Sequence, residues 1–278
     1  FAQESFRAAI THPEVRILNC SLNTTHRYIR TYYTRMHEAK FLMGTIAGEM
    51  AENDKIVYIA DYPILETIAQ INAFALGAQM TNPRAKVYLE WSTLKEQDIE
   101  KRIDEIDPNC ISGKDIIVPD DNNHFYGVYH RESGGGEQKN LAMPLCHWGK
   151  FYEELIRTIM AGNWEQDNDV EKAINYWWGM PTGVVDVICS KKLPAGTVRL
   201  VNVLKHNYKT GQFHTFTDQM YAQGHILKEK KGEKLSPEEV IEMDWLAENI
   251  IGRIPKIEEL QEQAKPVLTQ QGIETRKG

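Results

Sequence analysis

The spacing of hydrophobic and polar residues along the chain predicts an alternating series of strands and helices. Continuous apolar runs of strand length are typical of strands buried on both faces of a parallel sheet. The clearest predicted strands cover residues 15–20, 55–60, 85–91, 110–112 and 126–129. Helical spacing is clearest over 26–50, from Pro63 to about residue 78, and over 94–106. This order predicts βαβ units with right-handed crossovers, and therefore an α/β fold.

The second half of the chain continues the pattern less regularly. It predicts an extended segment over 140–146, a helix over 148–160, strands over 184–189 and 215–221, and a helix over 197–209 between these two strands. Ser236, Pro237 and Glu239 are typical of a capped helix start, so a helix reaching about residue 250 is expected. Within the segment 26–50, Gly44 and Gly48 lie one turn apart, which predicts close packing against another backbone.

Composition narrows the classes of function. The formal net charge of −7 argues against a nucleic-acid partner, which would require a basic face. No apolar run is long enough to span a membrane. The four cysteines form no CxxC pair, and we expect buried thiols without zinc or redox function. The histidines show no metal-binding spacing and no GxSxG occurs, so we predict no metal, no cofactor and no catalytic residue.

Polar and aromatic residues follow several predicted strands, where ligands bind in open parallel sheets. Asp61 and Tyr62 follow the strand 55–60, and could accept hydrogen bonds from a ligand and stack on its flat face. In the alternative interpretation, Asp61 only caps the helix that begins at Pro63. The polar segments 112–115 and 129–131 would form a pocket wall or ordinary loops, and Trp148 begins a predicted helix.

Several segments also resemble a known family, in the same order along the chain from Val15 to roughly Asp218. They are Tyr33 to Gly48, Lys55 to Pro63, Ile71 to Ala78 with Asn82-Pro83, His147 to Tyr152, Tyr176 to Gly179, and Gly183 to Val187. They resemble the basic membrane protein family. Its members are the substrate-binding proteins of ABC importers, and they are related to purine-nucleoside-binding lipoproteins.

The resemblance implies the type I periplasmic-binding-protein fold, an α/β architecture of two Rossmann-like lobes with parallel sheets and a cleft between them. It assigns residues 1–52 to the remainder of lobe 1 and 53–139 to lobe 2. Residues 140–278 would supply the hinge crossings, the returning elements of both lobes and a C-terminal helix. The family's first strands and helices would precede Phe1, so the first lobe is expected to be incomplete. The missing signal-peptide pattern likewise predicts a processed or truncated piece.

The resemblance also implies ligand-binding positions. Asp61 and Tyr62 match the strand-end segment that faces the cleft, and Asp115 falls near a later polar segment. Gly127 matches the glycine of the family's Gly-x-Asp, whereas Tyr129 stands in place of the acid that would hold a ligand hydroxyl. Trp148 matches an aromatic residue at a helix start on the hinge side.

The predicted function is therefore a solute-binding module that holds a purine nucleoside or similar small molecule by lobe closure, with an ABC transporter permease as partner. Two alternatives remain. One is an intracellular sensing or regulatory domain whose partner is another domain or protein, and the other is a nucleoside-cleaving hydrolase. The family is extracytoplasmic and attached to the plasma membrane, whereas the cysteines and the absent signal-peptide pattern favour the cytoplasm.

Overall fold

A computed structural model describes residues 2–20, 29–113, 126–132, 137–166, 174–217, 219–229 and 233–273. The chain divides into two compact units. Unit 1 comprises Phe1–Arg35 and Cys146–Asp186, and unit 2 comprises Met36–Leu145 and Val187–Gly278. Among the described helices, none has both the length and the apolar character needed to cross a membrane.

Strands and helices alternate along most of the described chain. In chain order, the strands are β1 (Ile17–Cys20), β2 (Ile29–Thr34), β3 (Lys55–Ala60), β4 (Lys86–Trp91), β5 (Cys110–Ser112), β6 (Val128–Arg131), β7 (Gln138–Cys146), β8 (Tyr176–Trp178), β9 (Val185–Cys189), β10 (Gln219–Ala222), β11 (Ile226–Glu229) and β12 (Ile250–Ile251). The helices are α1 (Ala2–Thr11), α2 (Met36–Met50), α3 (Thr67–Thr81), α4 (Ile99–Ile106), α5 (Trp148–Met160), α6 (Asn163–Gln166), α7 (Ala195–Lys209), α8 (Pro237–Ile241) and α9 (Lys265–Gln271).

Each unit is built on its own sheet. In unit 1 the strands β1, β2 and β8 form a parallel sheet in that order. In unit 2 a larger sheet has the order β12-β4-β3-β5-β6-β7-β9, and β12, β4, β3 and β5 are parallel. This confirms the predicted parallel units at β3, β4 and β5. Strand β6 is antiparallel to both of its neighbours, β5 and β7, which makes the sheet mixed.

Helices α2 and α3 pack with their backbones almost touching in unit 2. A Cβ atom built on Gly44 would lie 1.9 Å from the carbonyl oxygen of Phe74, and one on Gly77 would lie 2.1 Å from that of Phe41. The predicted close packing at Gly44 is therefore confirmed. The predicted boundary after residue 52 assigns α2 to the first lobe, whereas this backbone contact holds α2 to α3 within unit 2.

The predicted helix over 26–50 is wrong in its first half. Residues Ile29–Thr34 form β2, which lies between β1 and β8. Its β-branched and aromatic side chains suit a pleated, half-buried strand, and pairing on both sides overrides the local helical spacing. The helix itself begins only at Met36.

The capped helix start at Ser236 is confirmed, but the helix is shorter than predicted. Ser236 Oγ accepts from the Glu239 main-chain N–H at 3.2 Å, and the Glu239 carboxylate accepts from the Ser236 N–H at 2.7 Å. Beyond α8, the Asn72 side chain donates to the carbonyl oxygen of Trp245 at 2.7 Å and accepts from the N–H of Ala247 at 2.8 Å. These main-chain groups are thereby paired outside a helix, so the helix does not extend to residue 250.

The cysteines were expected to be buried thiols. None of the four forms a disulfide, but only Cys110 is buried, and Cys20 is exposed. Burial raises the pKa of the Cys110 thiol to about 12, which keeps it protonated and unreactive.

Candidate ligand-binding site

The loops that follow β3 and β4 are joined by hydrogen bonds at the carboxyl edge of the unit 2 sheet. Ser92 Oγ donates to the carboxylate of Asp61, and Thr93 Oγ1 donates to the main-chain carbonyl oxygen of Asp61. The N–H of Ser92 donates to the carbonyl oxygen of Ala60 at 2.9 Å. Asp61 is exposed, so its carboxylate is held at the edge while remaining open to solvent.

The structure rules out the interpretation of Asp61 as a helix cap. Helix α3 begins at Thr67, with Glu66 at its N-cap position, and Pro63 lies in the preceding loop. Because the Asp61 carboxylate accepts from Ser92 of the neighbouring loop, its hydrogen bond serves the sheet edge and not a helix terminus.

Tyr62 is half-buried at the same edge. Its ring packs against Leu260, Ala264 and Leu268, which are fully buried or nearly so in a small hydrophobic cluster. This cluster comes from the C-terminal part of the chain, so distant residues fix the position of the aromatic ring.

Ser112 is the last residue of β5, which pairs with β3 in the sheet. It lies opposite Tyr58 in the register, and its exposure is 0%. Within the described residues, its Oγ has no hydrogen-bond partner. A buried hydroxyl without a partner costs about 1–3 kcal/mol, so a polar atom of a ligand at this edge would relieve that cost. Sequence reasoning placed Ser112 only at the start of a polar loop and did not select it.

The surroundings of Gly127 and Tyr129 give both residues a role in the fold. Gly127 has a φ of 68°, and a Cβ built there would lie 2.2 Å from the carbonyl oxygen of Ala142, so glycine is required on both counts. Tyr129 is 9% exposed and belongs to a hydrophobic cluster with Val57 and Ile111. Burial raises the pKa of its phenol to about 12. Its ring thus contributes to the core of unit 2.

Trp148 lies in unit 1, at the first position of α5. It is 40% exposed, and its ring centroid is 6.2 Å from that of Tyr32 and 5.8 Å from that of Phe151. Burial, followed by a hydrogen bond to Tyr152, raises the pKa of the Tyr32 phenol above its ordinary value. Trp148 therefore belongs to an aromatic cluster of unit 1, and its ligand role stays a prediction. Asp115 lies outside the described residues.

Sequence reasoning missed a group of buried charged residues at the start of α2. His37, Glu38 and Lys40 are each no more than 6% exposed. His37 Nδ1 lies 3.6 Å from Oε1 of Glu66, in the loop that follows β3. Lys40 Nζ lies 5.0 Å from the ring centroid of Tyr58, which shares a sheet face with Ser112. Ionisable side chains thus lie buried next to the loop that follows β3, and a period-3.6 pattern gives no signal for them.

A depression of about 560 Å³ lies at the opposite, amino-terminal edge of the sheet. Part of its polar lining is already paired, since Asp54 accepts from Asn82 at 2.8 Å and from Arg84 at 3.1 Å. It is therefore a poorer candidate than the carboxyl edge. No cluster of three or more metal-ligating side chains occurs among the residues that the structure describes.

The chain is similar in sequence to known binding proteins. Residues 17–137 match the family model described as ABC transporter substrate-binding protein PnrA-like. A purine-binding protein of Brucella abortus (strain 2308) is 24% identical over 267 residues, which cover 92% of this chain and 74% of that protein. Residues 17–137 are thus similar to the PnrA-like ABC transporter substrate-binding proteins. The resemblance predicted from the sequence is confirmed.

Further relatives support the binding class without fixing the ligand. A putative ABC transporter glucose-binding protein of Haloferax volcanii is 29% identical over 191 residues, covering 64% of this chain and 47% of that protein. By name these relatives are binding proteins and not enzymes, in agreement with the predicted substrate-binding module.

Solved structures confirm the predicted fold class. An ABC transporter solute-binding protein from Conexibacter woesei has a TM-score of 0.51 at 11% identity, covering 77% of this chain and 75% of that one. A transcriptional activator of the comK gene from Bacillus halodurans has a TM-score of 0.53 at 15% identity, covering 77% of both chains. The chain therefore has the α/β fold of the periplasmic binding proteins.

Proposed function

We propose that this protein binds a purine nucleoside, or a similar polar aromatic small molecule, at the carboxyl edge of the unit 2 sheet. The observation that carries the proposal is the chemistry of the ends of two adjacent strands, β3 and β5. They present an exposed carboxylate at Asp61, a half-buried aromatic ring at Tyr62 and the buried hydroxyl of Ser112. Ligands of open α/β sheets bind at this edge.

Each of these groups suits a part of a nucleoside. The ring of Tyr62 offers an apolar face for a flat base, and the Asp61 carboxylate accepts hydrogen bonds from hydroxyl or amino groups. Ser112 Oγ can donate or accept. One relative is named as purine-binding and another as glucose-binding, and a nucleoside combines a base with a sugar. This support favours a ligand with both an aromatic and a hydroxylated part.

As a substrate-binding protein of ABC transport, the protein would deliver its ligand to a transporter permease. Binding without chemistry is the expected role. Adenosine and guanosine should be recovered intact by chromatography after prolonged incubation with the protein, and their conversion to base and ribose would instead support the hydrolase alternative.

A thermal-shift screen tests the proposal with adenine, guanine, adenosine, guanosine, ribose and glucose as probes. A ligand at one hundred times its Kd stabilises the fold by about 2.7 kcal/mol, which is roughly 5–10 °C in Tm for a domain of this size. We expect a purine nucleoside to give the largest shift. The absence of a shift with all six probes would overturn the proposal.

The variant Tyr62→Leu separates stacking from simple hydrophobic packing. Leucine preserves contact with the cluster of Leu260 and Leu268 but removes the aromatic face. We expect it to weaken nucleoside binding while leaving the unliganded Tm nearly unchanged. Equal Kd values for the wild type and the variant would exclude Tyr62 from the site.

A further inference from the structure

The C-terminal residues 257–273, here called the C-terminal strap, run along the candidate edge of unit 2. The strap first pairs with the loop that follows β4. The N–H of Gln261 donates to the carbonyl oxygen of Thr93 at 2.9 Å. The N–H of Lys95 donates to the carbonyl oxygen of Glu259 at 3.0 Å. The loop after β4 is therefore bound to the strap in both directions.

The other end of the strap pairs with the loop that follows β3. The N–H of Leu65 donates to the carbonyl oxygen of Gln271 at 3.0 Å, and the N–H of Ile273 donates to that of Pro63 at 3.4 Å. The two loops that carry Tyr62 and the Asp61–Ser92 hydrogen bond are thus linked through one segment distant in sequence.

Side chains of the strap also hold the aromatic ring. Leu260, Ala264 and Leu268 have exposures of 0%, 0% and 1%, and Tyr62 packs against them. All three are buried in one cluster that also contacts Tyr62 and Ile64 of the loop after β3 and Leu94 of the loop after β4. The Tyr62 ring thus has a rigid support on the strap, as a pre-organised binding group requires.

We propose that the C-terminal strap is the positioning element of the ligand site, with Leu268 as a positioning residue that acts on the ligand through Tyr62. The inference rests on the proposed function and adds to it an element of the fold that sets the affinity for the ligand. When the strap is loosened, the loops and the Tyr62 ring sample other arrangements, and the ligand binds only the fraction of molecules in which they are in place. If that fraction falls to a third, the apparent Kd rises about threefold.

The test compares Leu268→Ala with Leu204→Ala, a matched truncation in α7, also in unit 2, where Leu204 is 7% exposed. Isothermal titration with adenosine and guanosine is run well below the Tm of each variant, so that Kd refers to folded protein. Leu268→Ala should raise Kd about threefold or more, and Leu204→Ala should not. In the Tyr62→Ala background the effect of Leu268→Ala on Kd should be smaller than in the wild-type background, which a general loss of stability would not produce.

Amide hydrogen exchange without ligand provides a readout that does not depend on binding. Leu65 and Lys95 donate to the strap, so their amides should exchange faster in Leu268→Ala and not in Leu204→Ala. If the wild type binds nucleoside and Leu268→Ala binds equally well, the strap inference is overturned and the function stands. If no probe binds the wild type, the function fails, and unchanged exchange at both amides would overturn the strap as well.

Discussion

Replacing Ser112 with alanine tests whether its buried hydroxyl is reserved for a ligand. In the described part of the structure, Ser112 Oγ is fully buried and makes no hydrogen bond. Such a group costs about 1–3 kcal/mol, whereas the gap left by one oxygen atom costs less than a methyl-sized cavity, which is about 1 kcal/mol. The free energy of unfolding of unliganded Ser112→Ala should therefore stay unchanged or rise, by at most about 3 kcal/mol.

The same substitution should weaken binding, because the ligand loses a hydrogen bond. A net contribution of about 0.5–1.5 kcal/mol corresponds to a Kd roughly 2- to 13-fold higher. Urea unfolding followed by circular dichroism gives the first quantity. The Kd is measured by isothermal titration with adenosine or guanosine, whichever gives the larger thermal shift. An unchanged or higher free energy of unfolding together with a higher Kd is the diagnostic result. Truncation of a residue with only a packing role would lower stability without a selective loss of affinity.

Thr197→Val is the matched control. Thr197 in α7 is 3% exposed, and its Oγ1 also has no hydrogen-bond partner among the described residues. Removing that hydroxyl should leave stability equal or higher and Kd unchanged, because α7 does not contribute to the candidate edge. The reasoning is refuted if Ser112→Ala lowers the free energy of unfolding by more than about 1 kcal/mol and leaves Kd unchanged.

Two further predictions concern packing and pH. Gly44→Ala should lower the free energy of unfolding by about 2 kcal/mol or more, because its Cβ would overlap the carbonyl oxygen of Phe74. Gly196→Ala in α7, where no atom lies within 4 Å of the built Cβ, should raise it by about 0.4–1 kcal/mol. Urea titrations of both variants measure the change in the free energy of unfolding. Changes of the same sign in the two variants would contradict the close-packing argument. The carboxyl group of Glu259, at the start of the strap, has its pKa lowered from 4.5 to about 2, first by its hydrogen bonds from Arg253. A lowered folded-state pKa stabilises the fold above pH 4.5, and this contribution is lost as the pH falls towards 2. The difference in Tm between the wild type and Glu259→Gln should therefore be constant above about pH 5 and shrink towards pH 2, and a difference independent of pH would exclude the ionised pair as its cause.

The strands at the centre of unit 2 could be predicted because their signal is local. Strand β3 is a continuous apolar run between polar breaks, and β4 follows an Asn-Pro break, so both were found within a residue of their observed bounds. Strand β2 could not be predicted in this way. Its apolar residues also fit a helical period, and the pairing that decides the matter involves β8, more than 140 residues later in the chain.

The residues of the candidate site differ in the same way, since some have a local sequence signal and others do not. Asp61 and Tyr62 could be selected because the end of a predicted strand identifies them. Ser112 could not, because its importance lies in the absence of a partner among its described neighbours, and a sequence does not show which hydroxyls are satisfied. The strap was missed for a related reason, since Leu268 and Tyr62 are about 200 residues apart and only folding brings them together.

Proteins that share this fold differ in function. Structures of similar TM-score include a solute-binding protein and a transcriptional activator, so the same architecture supports transport and regulation. The proposed site, with a carboxylate, an aromatic ring and an unsatisfied hydroxyl at neighbouring strand ends, would serve recognition in either setting. A transport role adds the requirement that the ligand be released to a permease. If the strap holds Tyr62 in place, any partner that loosened the strap would lower affinity at the edge, because binding and strap docking are thermodynamically linked.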